Sequence, residues 1–177
     1  TEYFRGNYHK ALQICEENAE LAKKLQIRFW SSLKELIQAM SYLAIGNLDA
    51  SWKFLEQVED RQKNYPTEKL AMHARKVKGD FFRMLGEREK AAEYYRELIA
   101  DPARNFTTIE SRFTLGTMQL SDGNAEGMVW LMEAIREADE QHLVGIALKA
   151  RTVKAFSLAT SDTLETFELE CRSLMEK

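Results

Sequence analysis

The chain has 177 residues, 45% apolar and 30% charged, and a net charge of −3. That length suits one domain with a substantial core, and the composition is that of a soluble folded protein with no apolar run of the roughly 20 residues a membrane span requires. Lysine and arginine are interleaved with acids: Arg75, Lys76, Lys78 and Arg83 are offset by Asp80, Glu87 and Glu89, which reads as a solvated face and not as a nucleic-acid patch.

Two prolines and eight glycines are too few for a hairpin-rich β protein, so the fold class expected is all-α. The opening "TEYFR" reads as the tail of a helix whose beginning is missing. Helices are then expected at about 7–25, 28–45, 48–64, 68–85, 88–100, 108–121, 124–140, 143–159 and 163–176. Thr67 after Pro66, and Thr107 or Thr108 followed by Glu110 or Ser111, are candidate N-caps, as are Ser161 or Asp162 for the last helix.

The elements repeat. Gly6, Gly46, Gly86 and Gly123 stand at turns 40, 40 and 37 residues apart, and a fifth turn around Asp162 follows after 39. Seven residues before each later turn is a small residue, Ala39, Gly79, Gly116 or Ala155, where two helices are expected to approach closely. Three residues further on stand Tyr42, Phe82, Gln119 and Leu158.

After each turn the fifth, ninth and twelfth residues share a helical face and are expected in the core. They are Ala11, Cys15 and Asn18, then Ser51, Leu55 and Val58, then Ala91, Tyr95 and Leu98, then Met128, Met132 and Ile135, and finally Phe167, Cys171 and Leu174. Cys15 and Cys171 fall in one packing row, with no CxxC spacing. Reduced, buried thiols point to the cytoplasm. The result is about four and a half helical hairpins, at about 1–26, 27–66, 67–104, 105–142 and 143–177, read as a single repeat domain of a larger protein.

Gly79, Phe82, Gly86, Ala91, Tyr95 and Pro102 match in order the small, large, turn, small, aromatic and proline positions of the tetratricopeptide repeat, which the chain resembles. Two features depart from that family. Arg75 and Arg112 stand where its early tryptophan belongs, and the period exceeds the family's 34 residues. Long repeats of this style are typical of tetratricopeptide-like domains in bacterial signal-responsive regulators.

The resemblance implies a right-handed α-α superhelix that binds a protein or peptide ligand along the groove lined by the first helix of each pair. Transferred residue by residue, the groove positions are His73, Lys76, Asp80 and Arg83 in the third repeat and Leu33, Leu36, Met40 and Leu43 in the second. Glu110, Phe113, Thr117 and Leu120 follow in the fourth, and Lys149, Thr152, Phe156 and Ala159 in the fifth. Leu33, Leu36, Met40 and Leu43 have an alternative, which is packing against a neighbouring helix. A chaperone-tail clamp is excluded, because Asp80 stands where the family places an asparagine and would repel a carboxylate.

No catalytic, metal or cofactor site is expected. His9, His73 and His142 form no HExxH or HxxxH spacing, and the glycine stretches lack the lysine and Ser/Thr of a phosphate loop. The acidic runs lie on solvent faces, and Trp30, Trp52 and Trp130 are too scattered for an aromatic cage. The function expected is a non-catalytic scaffold or sensor module of a cytoplasmic transcription or signalling regulator, without nucleic-acid or membrane contact. The alternative is self-assembly through the N-terminal end, where Tyr3, Phe4 and Tyr8 lack a partner helix.

Overall fold

The computed structural model describes residues 2–25 and 28–158. Among them every regular element is helical. A short 3-10 turn at Tyr3–Arg5 leads into α1 (Tyr8–Glu17), α2 (Ala19–Lys24), α3 (Arg28–Ala44) and α4 (Leu48–Asn64). These are followed by α5 (Glu68–Met84), α6 (Arg88–Ala100), α7 (Phe106–Ser121), α8 (Glu126–Glu140) and α9 (Val144–Leu158). The helix expected at 163–176, with its cap at Ser161 or Asp162, lies outside the described residues, as do Phe167, Cys171 and Leu174.

The four turn glycines share one conformation. Gly6, Gly46, Gly86 and Gly123 have φ of 78°, 81°, 81° and 77°, the left-handed region that a β-carbon disfavours. At each, the glycine N–H donates to the carbonyl three residues back and the next N–H to the carbonyl five back. Gly86 to Arg83 (3.1 Å) with Glu87 to Phe82 (2.9 Å), and Gly46 to Leu43 (3.0 Å) with Asn47 to Tyr42 (2.9 Å), are two instances. This Schellman closure satisfies the orphan carbonyls of the preceding helix and stops it. The repeat read in sequence is therefore a repeat of hydrogen bonding.

Three local expectations are corrected. "TEYFR" is a 3-10 turn closed by Gly6. The first expected helix is two, because at Asn18 both the backbone N–H (3.1 Å) and the side-chain Nδ2 (2.8 Å) donate to the Ile14 carbonyl, a local side-chain bond that competes with helix continuation. The N-cap of α7 is Asn105: its Oδ1 accepts from the N–H groups of Thr107 (2.9 Å) and Thr108 (3.2 Å), and Thr108 Oγ1 accepts from the Asn105 N–H (3.1 Å), a reciprocal capping box.

The chain divides into two compact units, Thr1–Tyr94 and Tyr95–Lys177. In the first, α1 and α2 pack on α3, α3 packs on α4 and α5, and α4 packs on α5. Its core is built around Leu36, Ala39, Leu55, Val58, Val77 and Phe81. In the second, α7, α8 and α9 pack pairwise around Ile109, Leu131, Ala134, Ala147 and Ala150. The expected core rows hold for Ser51, Leu55 and Val58 and for Ala91, Tyr95 and Leu98, all fully buried.

In α8 the row is displaced by one residue. Gly127, Leu131 and Ala134 are buried, and Ile135 is buried as expected, whereas Met128 is half-buried and Met132 is 44% exposed. The cause is the crossing of α7 and α8 at two glycines. A β-carbon on Gly116 would lie 2.7 Å from the Gly127 carbonyl oxygen, and one on Gly127 would lie 2.5 Å from the Gly116 oxygen. Only a backbone this bare permits the approach, so Gly127 takes the crossing position and Met128 moves off it.

Charged side chains stand eleven residues before the turn glycines Gly46 and Gly123. Buried Glu35 accepts from Arg61 Nε at 2.7 and 2.9 Å. Arg112 stands at the equivalent position of its own hairpin, and its Nη1 donates to buried Glu137 at 2.8 Å. With the one-residue displacement of α8, Arg61 and Glu137 are also equivalent. One position pair thus holds acid then base in α3–α4 and base then acid in α7–α8.

Candidate functional site: a groove on α4 and α5

The polar row expected to bind a ligand is partly used by the protein itself. Lys76 is buried and its Nζ bonds Asp80 Oδ2 at 2.7 Å, an i,i+4 pair with side chains 11% and 21% exposed. His73 is half-buried and Arg83 is exposed. In the second repeat the packing alternative describes the leucines: Leu36 and Leu43 are core residues, and Met40 packs against the same cluster. Leu33 is half-buried.

Phe113 is half-buried against both clusters of the second unit, and Leu120 packs on one of them. Thr117 Oγ1 donates to the Phe113 carbonyl at 2.8 Å and Thr152 Oγ1 to that of Leu148 at 2.9 Å. Glu110 is half-buried, Lys149 is exposed and Phe156 is 68% exposed. Ala159 lies outside the described residues.

A different surface of the first unit gathers aromatic and charged side chains. The Trp52 ring lies 4.9 Å from Phe81 and 5.9 Å from Phe82, centroid to centroid. Phe82 in turn stacks on Tyr94. Lys78 Nζ sits 5.3 Å from the centre of the Trp52 ring and Lys90 Nζ 5.2 Å from that of Phe82, within range for attraction to the ring faces. Contact with Glu87 (Nζ to Oε2 2.5 Å) holds the Lys90 ammonium above its ordinary pKa.

Two open cavities flank this cluster along α4 and α5. One, of about 590 Å3, is lined by Leu48, Trp52, Phe82 and Leu85, with Asp49, Lys53 and Glu56 on its rim. The other, of about 440 Å3, is lined by Ala71, Ala74 and Tyr94 together with Glu59, Gln62, Lys63, Arg75 and Lys78. Lys78 and Glu59, both in the lining of this second cavity, form an ion pair. Trp52 Nε1 donates to Glu56 Oε1 at 3.0 Å, and the Gln62 amide oxygen accepts from the Thr67 N–H at 2.8 Å. Both groups are thereby held in fixed orientations.

In sequence Trp52 stands beside the core row of Ser51, Leu55 and Val58 and reads as a packing residue, which conceals its second role at this groove; it does pack against that core. The available signal was helical spacing: Leu48, Trp52 and Glu59 lie along one side of α4 while Arg75, Lys78, Phe82 and Leu85 run back along α5. Among the described residues, no group of three or more metal-ligating side chains is present and no helix is long and apolar enough to cross a membrane. No protein-family model matches the chain, and neither a curated protein nor a solved structure matches it.

Proposed function

We propose that the chain is a non-catalytic binding module, a tetratricopeptide-like right-handed α-α superhelix that holds a protein or peptide within a larger cytoplasmic regulatory protein. The observation that carries this reading is the cavity of Trp52, Phe82 and Leu85. It is open to solvent, has an aromatic floor and a charged rim, and its volume lies in the range of ligand sites. Buried aromatic anchors surrounded by polar groups are where interface energy concentrates.

Selection of a random peptide library on the purified chain tests the reading. Enrichment of sequences whose binding falls at least about tenfold in Trp52→Ala, with helicity unchanged, supports it. Failure to enrich any sequence, or binding indifferent to Trp52, sinks it.

A second reading, self-assembly, has its own observation. Phe4 is 75% exposed, and Leu21 and Leu25 are 53% and 59% exposed, while Tyr3 packs against both Phe4 and Tyr8. Sedimentation equilibrium decides it. A mass that rises with concentration, and ceases to rise in Phe4→Ser, supports assembly, whereas a constant monomer mass rejects it.

A further inference from the structure

The cavity of Trp52, Phe82 and Leu85 is charged on one wall only. Asp49, Lys53 and Glu56 all belong to α4, whereas α5 and its C-cap contribute Phe81, Phe82 and Leu85. Two carboxylates against one ammonium leave a net negative charge. Asp49 and Lys53 take part in no ion pair among the described residues, and Glu56 accepts the Trp52 Nε1 hydrogen bond at 3.0 Å. The two lysines beside the aromatic cluster are already matched, Lys78 with Glu59 and Lys90 with Glu87. The indole therefore holds the Glu56 carboxylate at the cavity, and an ionised carboxylate with one such bond keeps acceptor sites for a cation.

We propose that this cavity takes a basic peptide segment, whose large apolar side chain enters between α4 and α5 and whose neighbouring arginine or lysine bonds Glu56, with Asp49 adding to the attraction. The proposal rests on the binding-module reading and adds the charge of the ligand to it. Glu56 is then the residue that sets specificity. An acid beside the anchor meets two carboxylates, and like-charge repulsion rejects it. Lys53, which lies between the two acids along α4, opposes the same basic ligand. Because Glu56 is bonded to the Trp52 ring itself, the basic residue is expected within about two positions of the apolar one, given a rise of about 3.3 Å per extended residue.

The test is display selection of random dodecapeptides on the purified chain, followed by fluorescence anisotropy with the selected peptides synthesised. Expected sequences place an arginine or lysine beside a bulky apolar residue. Glu56→Gln is the informative variant, because its amide oxygen can still accept from Trp52 Nε1 while the charge is gone. At low ionic strength affinity is expected to fall at least about threefold in Glu56→Gln and to rise in Lys53→Gln. Both side chains are exposed, so helicity is expected to be unchanged by circular dichroism, and Asp49→Asn, at a third exposed position, is expected to weaken binding too. Selected peptides that bind through Trp52 but show no basic bias, lose less than about threefold in Glu56→Gln, or weaken in Lys53→Gln overturn the proposal and leave the binding module standing. A library that yields no binder overturns both.

Discussion

Phe82 stacks on Tyr94 with ring centroids 5.5 Å apart and planes 10° from parallel, and 40 residues earlier Tyr42 stacks on Phe54 at 5.6 Å and 5°. Each pair joins the helix before a turn glycine to the helix after it. The glycine closure sets the angle between the helices, and the stacked rings fill the space that this angle opens. A repeated turn therefore carries with it a repeated aromatic contact.

Because the two pairs share geometry, double-mutant cycles to alanine are expected to give similar coupling energies, about 0.5–1.5 kcal/mol for each. Urea unfolding of the four single and two double variants measures this. Coupling present in one pair and absent in the other would mean that only one hairpin uses the stack for stability.

The reversed ion pairs are expected to differ in consequence. Glu137 is 3% exposed and its partner Arg112 11%, whereas Arg61, the partner of buried Glu35, is 48% exposed. Glu137→Ala leaves the largely buried Arg112 with only the half-exposed Glu133, 3.4 Å from its Nε, as a carboxylate partner, and is expected to cost about 3 kcal/mol, the lower end of what breaking a buried pair costs. Glu35→Ala frees an arginine that water already reaches, so the loss is expected to be smaller. Replacing Arg112 and Glu137 together by Met and Leu is expected to recover most of the loss. Chemical denaturation of these variants gives the comparison, and a larger loss for Glu35→Ala would contradict it.

Much of this architecture was readable because certain positions admit one physical solution. A left-handed turn residue after a helix asks for glycine, so Gly46 and Gly86 marked the repeat directly. Fully buried Leu55 and Tyr95 followed from helical period. The displacement in α8 was hidden because Met128 and Met132 are as apolar as Leu131, and only the approach of two backbones distinguishes them.

The charge reversal was hidden for another reason. Arg112 in sequence looks like one more surface cation, and its partner Glu137 is 25 residues away on another helix. Which face of α3 and α4 meets a neighbour depends on helix rotation. That rotation sends Leu36 and Leu43 into the core and leaves Trp52 at a groove.

Two glycine substitutions are expected to have opposite signs. Alanine has the higher helix propensity, by about 1 kcal/mol. At Gly145 in α9 a β-carbon meets nothing within 4 Å, so Gly145→Ala is expected to stabilise by roughly 0.5–1 kcal/mol. At Gly127 the same methyl meets Gly116 O at 2.5 Å and Leu120 N at 2.8 Å. Backbone atoms cannot step aside as a flexible side chain does, so separating α7 from α8 is expected to outweigh the propensity gain and destabilise by about 1–3 kcal/mol. Thermal melts of both variants are the check, and stabilisation by Gly127→Ala would remove the close crossing.

The thiol of Cys15 reports on the weakest-looking part of the fold. It is buried on α1, with Sγ 4.0 Å from the Lys34 carbonyl oxygen of α3, and α1 is only ten residues long before the break at Asn18. Burial pushes the thiol pKa up, with a smaller push from Glu16 and an opposing pull from Lys34. The reactive thiolate is thus suppressed at neutral pH both by protonation and by lack of access. In a Cys171→Ser background, labelling by a disulfide reagent is expected to be at least about tenfold slower in buffer than in urea. Its rate is expected to follow the opening of α1 from α3. Fast labelling in buffer, with helicity intact, would show that α1 does not stay packed, and the core row would then begin at Ser51 instead of Ala11.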